Sequence, residues 1–472
     1  MKHLFIDFET YSETDIKSAG NYKYCEDENF EILLCGYMWD TDTDVTIIDL
    51  TKPGGLGEFN ELFAYVQNNE DVVIVAHNAT FERICLREYG FDISPMRFFC
   101  TANMSLYCGM PASLEAVSNI LNLDDKKKGT GKNLIRYFSI PCKPTKTNGG
   151  RTRNLPEHAP EDWKEFIDYL RYDVLSEKEI FGKLSRFEFP EEEQRIYAAD
   201  QRINDYGILA DLELAHAAQD MDEEYKARLT EKAEKDFGLS SLKSMPQLKG
   251  FIKERTGVVI DSLNKNNIEG VIKTIASLKN VTDEDKQAVL DVIDLRREIG
   301  KTSNAKYTAM LASAGRGNRI RGLFRYYGAN RTGRWAGRLV QLQNLPQNHI
   351  EDLDGARDLA KLHDLDMMEV IYDRPTHILS QIIRTAFIAP EGYTFAVADF
   401  SAIEARVIAW VANEQWRLDL FNDPKADIYC ASASKMFGVP VHKGDDLRQR
   451  GKVAELALGY GGGVNALTTI CL

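Results

Sequence analysis

The sequence predicts a multidomain protein: an α/β amino-terminal domain, then an all-helical arm, then a region in which strands and turns return. Three observations predict this. Short apolar strands alternate with helices over roughly the first 125 residues. From Pro190 to about residue 300 the chain is charged and helical, and beyond Arg319 strand and turn signals reappear. A chain of 472 residues is expected to form roughly two to four domains.

Each element has its own signal. "HLFIDF", "EILLCGYMW", "VTIIDL" and "DVVIVAH" read as strands; "LGEFNELFAYVQN", "TFERICLREYG" and "SLEAVSNILNL" read as helices. Residues 126–156 read as a polar loop rich in Gly, Pro, Thr and Lys. "APEDWKEFIDYLRYDVLSEKEIFGKL" is a strong helix. "FEFPEEEQ" marks a boundary, with Pro190 opening the next helix. "GYTFAVADFSAIEARVIAWVANE" reads as a strand ending at Asp399, an acidic turn, and a helix from Ser401. There are no internal repeats.

Charge and composition narrow the classes. No apolar run is long enough for a membrane span, and the charged start "MKHLFIDFET" is no signal peptide. Eight cysteines without C-x-x-C spacing read as reduced thiols of a cytoplasmic protein. The net charge is -14, yet two windows hold no Asp or Glu. Residues 301–350 carry two lysines and seven arginines, and residues 126–156 carry nine basic residues. Each window is either a solvated loop or a polyanion contact, since phosphate binding needs clustered Lys and Arg.

In "LFIDFET", Asp7 and Glu9 share one face of a strand. Carboxylates set among apolar residues are costly unless paired or metal-bound. Taken alone, D-x-E belongs more often to a solvated strand face. Further along come Asn78, Phe81 and Glu82 in "AHNATFERICL", then Tyr169 and Asp173 one helical turn apart in "YLRYDV". In type and order this series resembles the 3′–5′ exonuclease domain of proofreading DNA polymerases, a ribonuclease-H-like α/β fold, over residues 1–187. The resemblance implies that Asp7, Glu9, Glu82 and Asp173 bind two divalent ions, Mg²⁺ or its substitute Mn²⁺, and that Tyr169 orients the attacking water. Two ions about 3.5–4 Å apart suit an in-line displacement at phosphorus, and Mg²⁺ prefers hard carboxylate oxygens. The family usually has Asp where this chain has Glu82, so the extra methylene shifts that ligand. The basic loop 126–156 is placed to hold the entering single strand.

The second constellation lies near the end. Ser401 and Glu404 fit a helix capping box. Around them stand "NRTGRWAGRLVQLQNLPQ", "DIYCASASKMFG" and "RQRGKVAELALGYGGG". Arg448, Lys452, Leu456 and Tyr460 are four apart and line one broad helical face, and two cations with an aromatic suit a nucleoside triphosphate. D-F-S-x-I-E-x-R, R-x-x-x-K with Y-G eight residues later, and T-G-R followed by L-Q-N-L-P are similar to the palm, fingers and template–primer motifs of family A DNA polymerases, over residues 190–472. The resemblance implies a helical thumb (188–310), a partial α+β palm (311–410) and partial fingers (411–472). It implies that Asp399 is a palm metal ligand and that Glu404 excludes a ribose 2′-hydroxyl. Arg448 and Lys452 would clasp the incoming dNTP, with Leu456 and Tyr460 beside the nascent pair. Arg334, Arg338, Gln343 and Asn344 would track primer–template DNA without reading sequence. Leu456, Tyr429 and Ala402 stand where many members have Phe or Tyr, His, and Gln.

In the family a second palm carboxylate comes from H-D-E, a motif this chain lacks; only twenty residues follow Lys452. The sequence therefore carries a full exonuclease set and half a polymerase set, so polymerisation by this chain is expected to need a missing carboxy-terminal part. Three explanations stand open. The chain is a truncated piece, or half of a split polymerase completed by a second polypeptide, or a stand-alone exonuclease that keeps a DNA grip. A non-catalytic primer–template-binding subunit is the remaining alternative. The terminal Cys471-Leu472 is also similar to the start of an intein, although a lone terminal cysteine is usually incidental.

Overall fold

Ten residues with an apolar run at Leu4, Phe5 and Ile6 form β1 (Lys2–Tyr11), the middle strand of a five-stranded sheet in this computed structural model. The structure describes residues 2–123, 131–264, 267–459, 461–465 and 468. It divides into two units, 1–391 and 392–472.

In the first unit, β1 is followed by α1 (Ile16–Cys25), β2 (Glu31–Trp39), β3 (Thr46–Asp49), α2 (Gly55–Asn68), β4 (Val72–Ala76), α3 (Thr80–Glu88), β5 (Phe98–Cys100), α4 (Thr101–Tyr107), α5 (Leu114–Ile120), α6 (Gly131–Phe138) and α7 (Pro160–Leu184). The sheet order is β3-β2-β1-β4-β5. β1 pairs antiparallel with β2 and parallel with β4. Leu4, Ile6 and Phe8 enter a core shared with Phe59, Phe63 and Ile84. The odd positions face the other way, where Phe5 packs with Val174 of α7. The strands and helices read from the sequence over 1–125 are all present. One expectation fails: residues 126–156 are not loop throughout, because α6 crosses them. Leu134 and Phe138, four apart, bury one stripe against Trp163 and Phe166 of α7. Their Gly- and Lys-rich flanks hide that stripe in the sequence. Lys126, Lys127 and Lys128 lie outside the described residues.

The unit continues with α8 (Glu191–Tyr206), β6 (Ile208–Ala210), α9 (Leu212–Phe237), α10 (Met245–Thr256), α11 (Ile268–Ser277), α12 (Asp283–Ile299), α13 (Ala305–Ser313), β7 (Ala314–Gly315), β8 (Arg319–Ile320), β9 (Phe324–Ala329), β10 (Arg334–Gly337), α14 (Leu353–Lys361), α15 (Leu365–Tyr372), α16 (Pro375–Ile382) and β11 (Phe387–Ile388). The helices enclose a second core around Leu214, Met221, Ile252, Val292 and Tyr307. The short strands form the sheets β11-β6-β8-β7 and β10-β9. α8 is fastened to the first core. Its Asp205 pairs with Arg83 at 2.6 Å and Arg87 at 2.8 Å, both on α3, and accepts from Tyr22 Oη at 2.8 Å.

In the second unit, α17 (Ile403–Val411), α18 (Gln415–Asn422), α19 (Ile428–Phe437) and α20 (Asp446–Gly459) follow an irregular, exposed stretch over 392–400. A strand ending at Asp399 was expected there. Strands are held by neighbours, and among the described residues none pairs with this one. The helix expected from Ser401 begins at Ile403 instead, after Ala402 at φ +51°. No side chain caps it, so Ser401 and Glu404 form no capping box. Among the described residues no helix is long and apolar enough to cross a membrane.

Candidate active sites

The first site is assembled by β1 and α7. A bulge in the β1–β2 register falls between Glu9 and Thr10, the kind of irregularity that re-aims a side chain. Asp7 pairs with Gly36 of β2, where a Cβ would stand 3.0 Å from Leu170 and Val174. A bare backbone at that point lets α7 lie close on the sheet. Asp7, Glu9 and Asp173 then each present one ligand oxygen, all within 4.8 Å of one another. Glu9 and Asp173 are buried, and Asp7 is half-buried. Tyr169, one turn before Asp173, is buried and hydrogen-bonds to it. Burial raises its phenol pKa, and the charges of Asp173, Glu9 and Asp7 raise it further.

Glu82 enters from the first turn of α3 and is 3% exposed. It lies outside the close group of three, but near enough for Asp7 to act on it. Burial holds its carboxyl well above the usual range, and Asp7 pushes it higher. Its Oε2 is buried without a hydrogen-bond partner. The residues that sequence reasoning missed are Glu177 and His77. Glu177, one turn after Asp173, is 1% exposed and accepts from the His77 backbone N–H at 2.8 Å. Burial, then Asp7 and Glu82, raise its pKa, and its Oε1 has no hydrogen-bond partner. His77 is held by Thr101 Oγ1 at 2.9 Å and Ala112 O at 2.8 Å, and it precedes Asn78 at φ +78°. In sequence Glu177 sits in "LSEKEIF", where it reads as a surface acid; only its i+4 step from Asp173 hints otherwise.

A donor set of carboxylate oxygens alone suits a hard divalent cation. Buried acceptors without donors are costly, and a cation meets that need. The residues present therefore fit the ions that the sequence motifs imply.

On α6 and in the segment that follows it, Lys132, Arg136, Lys143 and Lys146 are exposed. Arg153 is committed elsewhere: it pairs with Glu31 at 2.5 Å and covers the Tyr11 ring at 3.9 Å. In the other basic window Arg316 pairs with Glu88 at 2.7 Å and Arg321 with Glu26 at 3.3 Å. Those two arginines brace the fold. Arg334 and Arg338 are exposed on and just after β10, and Gln343 and Asn344 are exposed in a single 3₁₀ turn. Leu339 and Gln341 between them hold φ of +52° and +55°. Backbone in that region is costly for residues with a Cβ and clusters at functional sites.

In the second unit, Arg448, Lys452 and Leu456 follow one another along α20, while Val453, Ala454 and Ala457 are buried. Lys452 and Leu456 are exposed; Arg448 is half-buried, paired with Asp427 at 2.8 Å and set over the Tyr429 ring. Asp427 caps α19, so the pair fixes α20 against it. A Cβ on Gly451 would stand 2.1 Å from Tyr429 O, so the two helices touch backbone to backbone. Glu404 is half-buried in α17, and Asp399 is exposed in the irregular stretch. Tyr460 lies outside the described residues. Asp399 and Lys452 are therefore open to solvent, while Arg448 is held by Asp427.

A family model for DNA polymerase family A matches residues 212–471. The DNA polymerase of Bacillus phage SP02 is 48% identical over 471 residues, 99% of this chain and 70% of the phage protein. The chain belongs to DNA polymerase family A. Its likeness to thermostable DNA polymerase I of Thermus aquaticus is local, 42% over 72 residues, covering 15% of this chain and 8% of that protein. Among solved structures, the POL domain of M. smegmatis Pol1, in complex with DNA primer-template and dNTP, aligns with a TM-score of 0.56 and 17% identity. That alignment covers 99% of this chain and 69% of the other. The fold is therefore that of a family A polymerase domain.

Proposed function

We propose that this chain is a DNA-directed DNA polymerase polypeptide of family A that carries a 3′–5′ proofreading exonuclease centre in its first 187 residues. One observation carries the exonuclease reading. Asp7 and Glu9 on one strand, and Asp173 on a helix some 160 residues later, bring oxygens within 4.8 Å beside a buried tyrosine hydroxyl. The β3-β2-β1-β4-β5 order with β1 central supports the ribonuclease-H-like description.

In this reading Asp7, Glu9, Glu82 and Asp173 hold two divalent ions, Mg²⁺ or Mn²⁺. Bound there, such ions lower the pKa of a water and neutralise charge on the leaving oxygen. The Tyr169 hydroxyl, fixed by Asp173, orients that water toward the terminal phosphodiester of a single strand. The water oxygen bonds to phosphorus as the P–O3′ bond breaks, the freed 3′ oxygen takes up a proton, and a nucleoside 5′-monophosphate leaves behind a strand one residue shorter. Lys132, Arg136, Lys143 and Lys146 neutralise backbone phosphates of the strand. Glu177 holds the His77 turn from which α3 presents Glu82.

For nucleotide addition, Arg448 and Lys452 take the triphosphate of a dNTP, with Leu456 and Tyr460 near the base pair. Glu404 excludes the 2′-hydroxyl and Asp399 is a metal ligand. Arg334, Arg338, Gln343 and Asn344 hold primer–template DNA, and the phosphate contacts among them make binding salt-dependent.

The test uses a 5′-labelled single strand with Mg²⁺. The wild-type chain shortens it stepwise from the 3′ end, and Asp173→Ala does not. Equal degradation by both overturns the exonuclease reading. Photo-crosslinking of an azido-dATP to α20, weakened in Lys452→Ala, tests the nucleotide reading separately.

A further inference from the structure

α6 begins with a residue that has no side chain, at the point where it meets the Tyr169 ring. Gly131 is buried, and a Cβ built on it would stand 2.1 Å from Cε2, 2.6 Å from Cδ2 and 2.7 Å from Cζ of Tyr169. No side chain fits at such distances without displacing the ring. The demand is for space, since Gly131 lies within the helix itself.

The ring is also held by an aromatic column. Phe166 stacks on Tyr169 with centroids 6.3 Å apart and planes 18° from parallel. Phe138 stacks on Phe166 at 5.4 Å and 19°. Gly131 and Phe138 belong to the same two turns of α6, so one short helix bears on both ends of the column. The Tyr169 hydroxyl is directed at Asp173, within the field of Glu9 and Asp7. A phenol has two side-chain torsions, and a close-packed surround leaves it one position.

We propose that Gly131 is a positioning residue for the exonuclease reaction: its bare Cα, packed on the Tyr169 ring, sets where the phenol hydroxyl stands relative to the carboxylates. The proposal rests on the exonuclease reading above. The exposed side of the same helix carries Lys132 and Arg136. The cations placed to hold the strand and the contact that aims the tyrosine therefore move as one rigid piece.

The test is a cycle in the full chain, assayed on a 5′-labelled single strand with Mg²⁺. Gly131→Ala lowers kcat by at least about tenfold and leaves KM near the wild-type value, since a small misplacement of a reacting group is enough for such a loss. Tyr169→Phe keeps the ring and removes the hydroxyl. If Gly131 acts through that hydroxyl, the Gly131→Ala, Tyr169→Phe double variant is no slower than Tyr169→Phe alone. A second readout needs no activity. Gly131→Ala lowers Tm in the wild-type background and does not in a Tyr169→Ala background, where the ring is gone. Alanine is the better helix former, so a fall in Tm runs against propensity. Wild-type kcat in Gly131→Ala, or losses that multiply with Tyr169→Phe, overturns this proposal and leaves the exonuclease reading standing. A wild-type chain that degrades nothing with Mg²⁺ or Mn²⁺ overturns both.

Discussion

At the scale of single residues, the first site is a collection of acids largely withdrawn from water: Glu9, Glu82, Asp173 and Glu177 are buried and Asp7 is half-buried. Such groups are tolerated when something compensates them. Tyr169 adds a hydroxyl whose proton burial and three nearby acids hold tightly, so the role proposed for it is to orient a water and not to ionise near neutral pH. Tyr169→Phe keeps the aromatic column and removes the hydroxyl; kcat for 3′-end removal is expected to fall about 100-fold, with KM little changed, in a steady-state assay. Asp200 of α8 behaves differently. Burial raises its carboxyl from 3.8 to about 7, against hydrogen bonds from Gln201 and Asn204. The folded chain binds this proton more tightly than the unfolded chain does. The stability it contributes is whole below about pH 4 and is lost as pH rises through about 7. Asp200→Asn should flatten that part of the curve, read as urea midpoint against pH, and leave the variant less destabilised at pH 8 than the wild-type trend implies.

At the scale of elements, the site depends on how closely α7 lies on the sheet. Gly36 permits it, since a Cβ there already meets Leu170 and Val174 at 3.0 Å. Gly36→Val adds more bulk and should cost about 1–3 kcal/mol, read as a lower Tm. It should also slow 3′-end removal by shifting Asp173 away from Asp7. The elements that bear the site were largely legible in the sequence, because β1 is a short apolar run and α7 repeats with helical period. Local pattern placed Asp7 with Glu9 on one strand face and Tyr169 with Asp173 on one helical face; that the two pairs meet was implied only by the resemblance to proofreading exonucleases, and the structure brings Asp7, Glu9 and Asp173 together. Gly36 was not, because a glycine in a strand reads as a weakness until its neighbour across the sheet is known. Glu177 was hidden in a run of acids, and α6 was hidden by its Gly- and Lys-rich flanks. The expected strand at Asp399 failed because local pattern cannot say whether a pairing neighbour is there, and the capping box at Ser401 failed because the helix begins at Ile403, after Ala402.

At the scale of the whole molecule, the unit 1–391 holds large apolar cores, whereas much of the apolar surface of 392–472 is exposed. Val397 is 90% exposed, Phe400 80% and Trp410 72%. The stretch 392–400 has no regular structure and carries exposed Tyr393, Phe395 and Phe400. Exposed irregular backbone opens first. Limited chymotrypsin digestion followed by mass spectrometry should cut at these three residues first and leave the preceding unit intact. Early cutting within α9 to α12, with 393–400 spared, would run against this description. The account as a whole stands on acids from distant parts of the chain meeting to hold divalent ions. Mn²⁺ binding to the full chain, followed by electron paramagnetic resonance, reads this most directly. The wild-type chain should bind about two more ions than the Asp7→Ala, Asp173→Ala double variant. The same number of ions at the same affinity in both proteins would contradict it.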